Sequence, residues 1–334
     1  YNVFGHAIPG VIEPTLEEYT HLGDAASKTD GKIYSEKMSP SQSDGTYSGV
    51  PDDRWAFTAH TTPLNYDAIS ALAAASRVLH GFDDKMADEC LHTAERIWDQ
   101  EHKQPPVIFR SFNTAGGDLA IEETKAAVEL VIATKGKDIY QKRLLELLPT
   151  IQERFMFLGG TAVRAVPYMN AEFKAALRST VLSHKATLDE NLAKNPYGVP
   201  IAMGTWGGSG LAAGFASQMY FLHQAFPGII GTEYTLRGLD YVLGVHPVSN
   251  ISYVSGIGAH SKMIAYGNNR ADYTFIPGGM IPGVTIIQPD FPELMNDWPF
   301  LWYENEYVVD TATAFILAAS AAKAAANEPL ANRP

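Results

Sequence analysis

From Leu64 onward, apolar and small residues recur at helical spacing. Leu64 to His80 (LNYDAISALAAASRVLH) carries them on most faces, which predicts a buried helix. Asp84 to His102 alternates apolar and charged positions with the period of an amphipathic helix. Gly81 and Phe82 form the turn between the two, with Asp83 or Asp84 as the N-cap. Leu119 to Thr134 reads as a third helix ended by Gly136, and Ile139 to Leu148 as a shorter amphipathic one. Ala171 to Lys194, Gly210 to Phe226, Glu233 to Leu243 and Thr311 to Ala326 continue the pattern. Loops rich in Gly, Pro and aromatics lie between them: Asp30 to Pro63, Pro196 to Gly208, and His246 to Tyr303. Hairpins of similar length, joined on one side by such loops, predict an all-α toroid of helical hairpins. No linker divides the chain, so residues 1–334 read as one domain.

Composition narrows the function. The 334 residues are 46% hydrophobic, enough for a sizeable core. A formal net charge of -12 and the lack of a basic cluster argue against nucleic acid as a partner. The single cysteine, Cys90, excludes an internal disulfide framework and a cysteine-built zinc site. No run reaches the roughly 18 apolar residues of a membrane span. The stretch after Asp310 is Ala-rich, carries Lys323, and reads as a buried helix. The opening YNVFGHAIPG has no Met, basic n-region or h-region, and so reads as processed or truncated.

Candidate chemistry concentrates in DWPFLWYENEYVVD, Asp297 to Asp310. Aromatic rings stack on the apolar faces of sugars. A carboxyl group among them is desolvated, which raises its pKa and suits it to general-acid work. The same acids also suit a helix N-terminus, where they oppose the dipole. Elsewhere the signals are weaker. Asp52-Asp53-Arg54-Trp55 fits a structural Asp–Arg pair, and Ser209 in GTWGGSG only faintly resembles a nucleophile elbow. Arg270, after Asn268 and Asn269, can donate a forked hydrogen-bond pair to hydroxyls or to a carboxylate. No His/Asp/Glu pair has catalytic-metal spacing, so no cofactor is expected. The loop acids Asp52, Asp53 and Asp272 could bind a structural Ca²⁺, but no ligand spacing supports it.

Three blocks resemble glycoside hydrolase family 9, which includes many endoglucanases. Leu239 to Gly258 (LDYVLGVHPVSNISYVSGIG) looks like the family's D-Y-x-L-G-x-N-P…S-Y-V-T-G-x-G segment, with His246 in place of Asn. Asn268-Asn269-Arg270 falls where the family has H-x-R; Arg270 matches and Asn268 replaces the His. Asp297, Trp302 and Glu306 match the second signature, although Val308 and Ala312 depart from it. Asp310 matches the Asp four residues after Glu306, and Trp206 in TWGGSG resembles the W-G-S-N helix start. A weaker resemblance runs back to about Leu64.

The resemblance implies an (α/α)6 barrel and an inverting glycosidase acting on a β-linked glucan or oligosaccharide. Two carboxyl groups about 6.5–9.5 Å apart would flank the bond and a water. Glu306 would be the general acid, with Asp310 helping to shape the site. Arg270, Asn268, Trp206, Trp302, Tyr303, Asp310 and Asp297 would bind substrate; Trp298 and Tyr307 are further stacking candidates. The family's base belongs to a D-A-G-D motif that these residues lack. TAGGDLA, Thr114 to Ala120, comes in the wrong order, and Asp118 reads as a helix cap. The first helices of the barrel are therefore expected on a segment outside this chain, which would be its partner. A secreted or periplasmic bacterial location follows from the same resemblance. The alternatives are an exo-acting β-glycosidase on short oligosaccharides and a non-catalytic carbohydrate-binding relative.

Overall fold

The computed structural model describes residues 4–12, 29–53, 55–109, 116–194, 197–200, 207–245, 250–263, 265–266, 273–286, 292–293 and 302–328. Contacts divide the chain into two compact units, one formed by Tyr1–Thr20 and Asp24–Lys174 and the other by His21–Gly23 and Ala175–Pro334.

The first unit starts with short strands: β1 (Gly10–Ile12) pairs antiparallel with β4 (Trp55–Phe57), and β2 (Ile33–Tyr34) pairs in parallel with β3 (Tyr47–Ser48). Helices follow: α1 (Thr62–Leu79), α2 (Asp84–Glu101), α3 (Leu119–Ala133), α4 (Asp138–Glu146), α5 (Leu148–Glu153) and α6 (Phe155–Val163). Asp83 proves to be the N-cap of α2, accepting the Met86 amide at 3.0 Å, and Gly81 makes the turn at φ +86°. The α1–α2 hairpin closes because α2 presents Ala87, Ala94, Ile97 and Trp98 on one buried stripe. On the other side α1 packs against α3, whose Ala126 to Val131 segment is buried on all faces. Asp118 caps α3 through the Ala120 and Ile121 amides, both at 3.1 Å. Gly136, at φ +90°, ends the α3 turn by donating to the Val131 carbonyl at 2.8 Å.

Buried acids tie these helices together. Glu101 accepts from the Thr62 hydroxyl at 2.6 Å and the Asn65 amide at 2.6 Å, and meets His60 Nε2 at 2.8 Å. Burial alone would raise its pKa, but these bonds outweigh burial and hold it below the usual value. Glu123 meets His102 Nε2 at 3.0 Å and accepts from Arg143 Nε at 2.7 Å. Glu129 lies between two guanidiniums, Arg77 on α1 and Arg164 just past α6.

The second unit contains most of α7 (Ala171–Leu192), then α8 (Ser209–Ala225) and α9 (Glu233–Val242). Two-residue strands follow, β5 (Ala265–Tyr266) with β6 (Tyr273–Thr274) and β7 (Thr285–Ile286) with β8 (Pro292–Glu293), both antiparallel. The chain ends in α10 (Trp302–Asn305) and α11 (Val309–Ala326). α8 and α9 cross closely: a Cβ on Gly238 would come within 2.8 Å of the Ala212 carbonyl oxygen and of Ala216 Cβ. α11 rests on α8 and α9 through Ala318, Ala321, Ala322 and Ala325. The expectation of a buried final helix is only half right. Just 28% of α11 is buried, although it is long and apolar enough to cross a membrane by length and composition.

Candidate active site

Glu306 sits in a three-residue link, 306–308, between α10 and α11. Backbone and hydroxyl hydrogen bonds from distant loops fix that link. The Gly207 amide donates to the Tyr303 carbonyl at 2.9 Å, and the Gly283 amide to the Glu304 carbonyl at 3.0 Å. These bonds satisfy carbonyls that a one-turn helix cannot satisfy internally. The 280–283 strip also receives the Ser209 amide on the Pro282 carbonyl at 2.9 Å. Thr311 Oγ1 donates to the Val308 carbonyl at 2.8 Å and approaches the Met280 carbonyl at 3.4 Å. The strip thus ties the start of α8 to both sides of the link.

Glycine is required where these elements meet. A Cβ on Gly207 would sit 2.4 Å from the Pro282 carbonyl oxygen. Gly283 has φ +83° and faces the Tyr253 ring, which is fully buried. Tyr307 braces the link from the far side. Its hydroxyl shares a hydrogen bond with Ser255 Oγ at 2.7 Å and accepts the Ile276 amide at 3.2 Å. Its ring leaves no room for a side chain at Gly279, where a Cβ would lie 2.7 Å away. Tyr307 is therefore a strut, a role that its place among the stacking candidates does not suggest.

The two glutamates of the segment differ in access. Glu304 is 1% exposed and Asn305 is fully buried, whereas Glu306 is half-buried. Tyr303 is half-buried as well. Asp310 is exposed in the first turn of α11, where Oδ1 accepts the Thr311 amide at 2.8 Å. There its charge favours the helix N-terminus. Trp302 opens α10, and its side chain lies outside the described residues. Trp206, Asn268, Arg270, Asp297 and Trp298 also lie outside them.

The weaker candidates have structural employment. Ser209 is fully buried and donates its hydroxyl to the Ile281 carbonyl at 2.5 Å, so it cannot meet a substrate as a nucleophile. Asp52 accepts the Asp30 amide at 2.5 Å, and Asp53 the Tyr34 amide at 2.7 Å. Among the described residues, no group of three or more His, Cys, Asp or Glu side chains is gathered for a metal.

Comparison with known proteins bears on the whole chain. A metagenome-derived glycoside hydrolase family 9 endoglucanase superposes with a TM-score of 0.63 at 23% identity, covering 83% of this chain and 55% of that one. A thermostable endoglucanase variant from Alicyclobacillus acidocaldarius gives 0.64 at 18% identity, covering 81% of this chain and 57% of that one. The endoglucanase of the termite Nasutitermes takasagoensis gives 0.63 at 20% identity, covering 84% and 71%. The chain thus spans little more than half the length of the first two. These likenesses give the fold class, an all-α (α/α)6 toroid of helical hairpins. No curated protein matches the sequence. The sequence profile of Glycosyl hydrolase family 9 matches residues 17–269, a span that ends before the Glu306 segment. That match takes in well over half of the chain, which belongs to glycosyl hydrolase family 9.

Proposed function

We propose that this chain is the acid-bearing part of one catalytic domain that hydrolyses a β-linked glucan or oligosaccharide with inversion, outside the cell. Glu306 is the general acid. The observation that carries this is the contrast at the site: Glu304 is sealed in, while Glu306 is half-buried on a braced link. A general acid needs both conditions, enough burial to favour its protonated form and enough access to reach the leaving oxygen. Bracing by the 280–283 strip and Tyr307 supports the reading, because proton transfer requires hydrogen-bond reach. The base is a carboxylate outside these 334 residues, since no D-A-G-D string occurs among them. It would draw a proton from a water on the opposite face of the sugar. Arg270, Asn268, Trp206, Trp302, Tyr303, Asp297 and Asp310 are assigned to substrate, and Asp310 also to shaping the site.

The test uses the full-length gene product on soluble β-glucan and cello-oligosaccharides, beside Glu306→Gln. Loss of the acid should lower kcat by about 10²–10⁴. Equal activity in the two proteins would remove Glu306 from the mechanism. NMR of the first-formed anomer reads the stereochemistry, and a retained β-anomer rules out inversion.

A further inference from the structure

We propose that His6 and His60 form a binding site for an imidazole-seeking divalent transition cation such as zinc. The two rings come from distant parts of the first unit, His6 from the segment before β1 and His60 from the link between β4 and α1. They meet edge to face, with centroids 5.3 Å apart and 76° between their planes. Two imidazoles sharing one tetrahedral zinc, at about 2.0–2.1 Å per bond, place their centroids about 5 Å apart. His60 is 25% exposed along its side chain and His6 is half-buried, so a hydrated ion can reach both.

Each ring has one nitrogen committed to an acceptor. His6 Nδ1 lies 2.8 Å from the Ala7 carbonyl. A carbonyl only accepts, so Nδ1 donates and the neutral ring carries its lone pair on Nε2. His60 Nε2 lies 2.8 Å from Glu101 Oε1. Thr62 and Asn65 also donate to Glu101 and help hold it ionised. His60 Nε2 is therefore a donor too, and Nδ1 of the neutral ring keeps the lone pair. Neither lone-pair nitrogen has a hydrogen-bond partner among the described residues. Metal-ligating histidines share this arrangement. One nitrogen donates to a carbonyl or carboxylate, which orients the ring and raises the basicity of the nitrogen left for the metal. Edge-to-face packing alone does not require both rings to be pinned in this way.

The site would be open. Among the described residues no group of three His, Cys, Asp or Glu side chains is gathered, so water would fill the positions that the two rings leave. The Glu101 carboxylate behind His60 supplies the negative charge that favours a cation. A bound ion would tie the segment before β1 to the start of α1, beside the bond from the Ala7 amide to Asn65 Oδ1 at 2.8 Å. Its place is in holding the first unit together, and it is independent of the Glu306 reading.

The test is isothermal titration of the full-length protein with zinc chloride, after dialysis against a chelator, beside His6→Ala. His6 is the residue to change because its ring bonds only a backbone carbonyl, whereas losing His60 would strip a buried carboxylate of a partner. Loss of one of two protein ligands should weaken binding at least about tenfold. Equal affinity and stoichiometry in the two proteins overturn the proposal. A second measurement needs no variant. Stoichiometric Cu²⁺ should give an electron paramagnetic resonance spectrum with coupling to two imidazole nitrogens, falling to one in His6→Ala. A wild-type spectrum without that pair of nitrogens overturns the proposal equally. Neither measurement needs substrate, so an inactive protein that binds zinc would count against the hydrolase reading and leave this site standing.

Discussion

Tyr307→Phe removes one hydroxyl from the site and keeps the ring that packs on Gly279. The lost hydroxyl accepts the Ile276 amide and shares a hydrogen bond with Ser255. The two losses differ in cost. Ile276 is 36% exposed, so water can take over its amide, and the net loss stays near about 1 kcal/mol or below. Ser255 is fully buried, and a buried hydroxyl stripped of its partner costs about 1–3 kcal/mol. The substitution should therefore destabilise by about 1.5–3 kcal/mol. Tyr307→Ala also opens a cavity beside Gly279 and should cost about 3–5 kcal/mol. Urea unfolding measures this as a lower midpoint at unchanged slope. Adding Ser255→Ala to Tyr307→Phe should cost nothing further, since the serine hydroxyl is by then a stranded group. An unchanged midpoint in Tyr307→Phe, or a double variant that loses the full sum of the single losses, would refute the strut.

Two further outcomes follow from the first unit. Glu101→Ala strands three donor groups around a buried site and should cost about 3–5 kcal/mol at pH 7, read by urea unfolding. Because the Glu101 pKa is depressed on folding, its stabilisation is present above the unfolded carboxyl value and is lost as pH falls through the folded one. The wild-type acid limb should therefore be steeper than the variant's, and identical limbs would rule this out. His102 moves the other way. Burial would lower its pKa, but Glu123 and the Trp98 carbonyl outweigh burial and raise it. Its stabilisation is then full below the unfolded histidine value and lost as pH rises through the folded one. An NMR titration should place its midpoint above 6.5, and Glu123→Gln should bring the midpoint down.

The long helices are legible in the sequence because each carries its own signal. α2 shows a cap at Asp83 and a stripe ending at Ile97 and Trp98; α3 shows a cap at Asp118 and a stop at Gly136. Observed ends fall close to those read from spacing. α5 and α6 escape such a reading because LPTIQERFMFLGG offers no stripe: Pro149 begins one short helix and Gly159 and Gly160 fall inside the next. Glu306 becomes a candidate through the spacing from Asp297 to Trp302 and on to Glu306. Its bracing is not legible, because Tyr307 reaches partners 31 and 52 positions away that only the fold brings near. Solvent access is equally hidden. Nothing local distinguishes Glu304 from Glu306, and nothing in the Ala-rich run after Asp310 shows which of its edges α8 and α9 would cover.

The Glu129 clamp has a consequence in time. Its two guanidiniums lie 52 residues before and 35 residues after the carboxylate. During synthesis, Glu129 can meet Arg77 as soon as α3 has formed, but the second cation does not exist until Arg164 has been added. Every shorter nascent chain carries an incomplete version of the lock. The α1–α3 pair thus reaches its finished charge balance only when Arg164, just past α6, has been made.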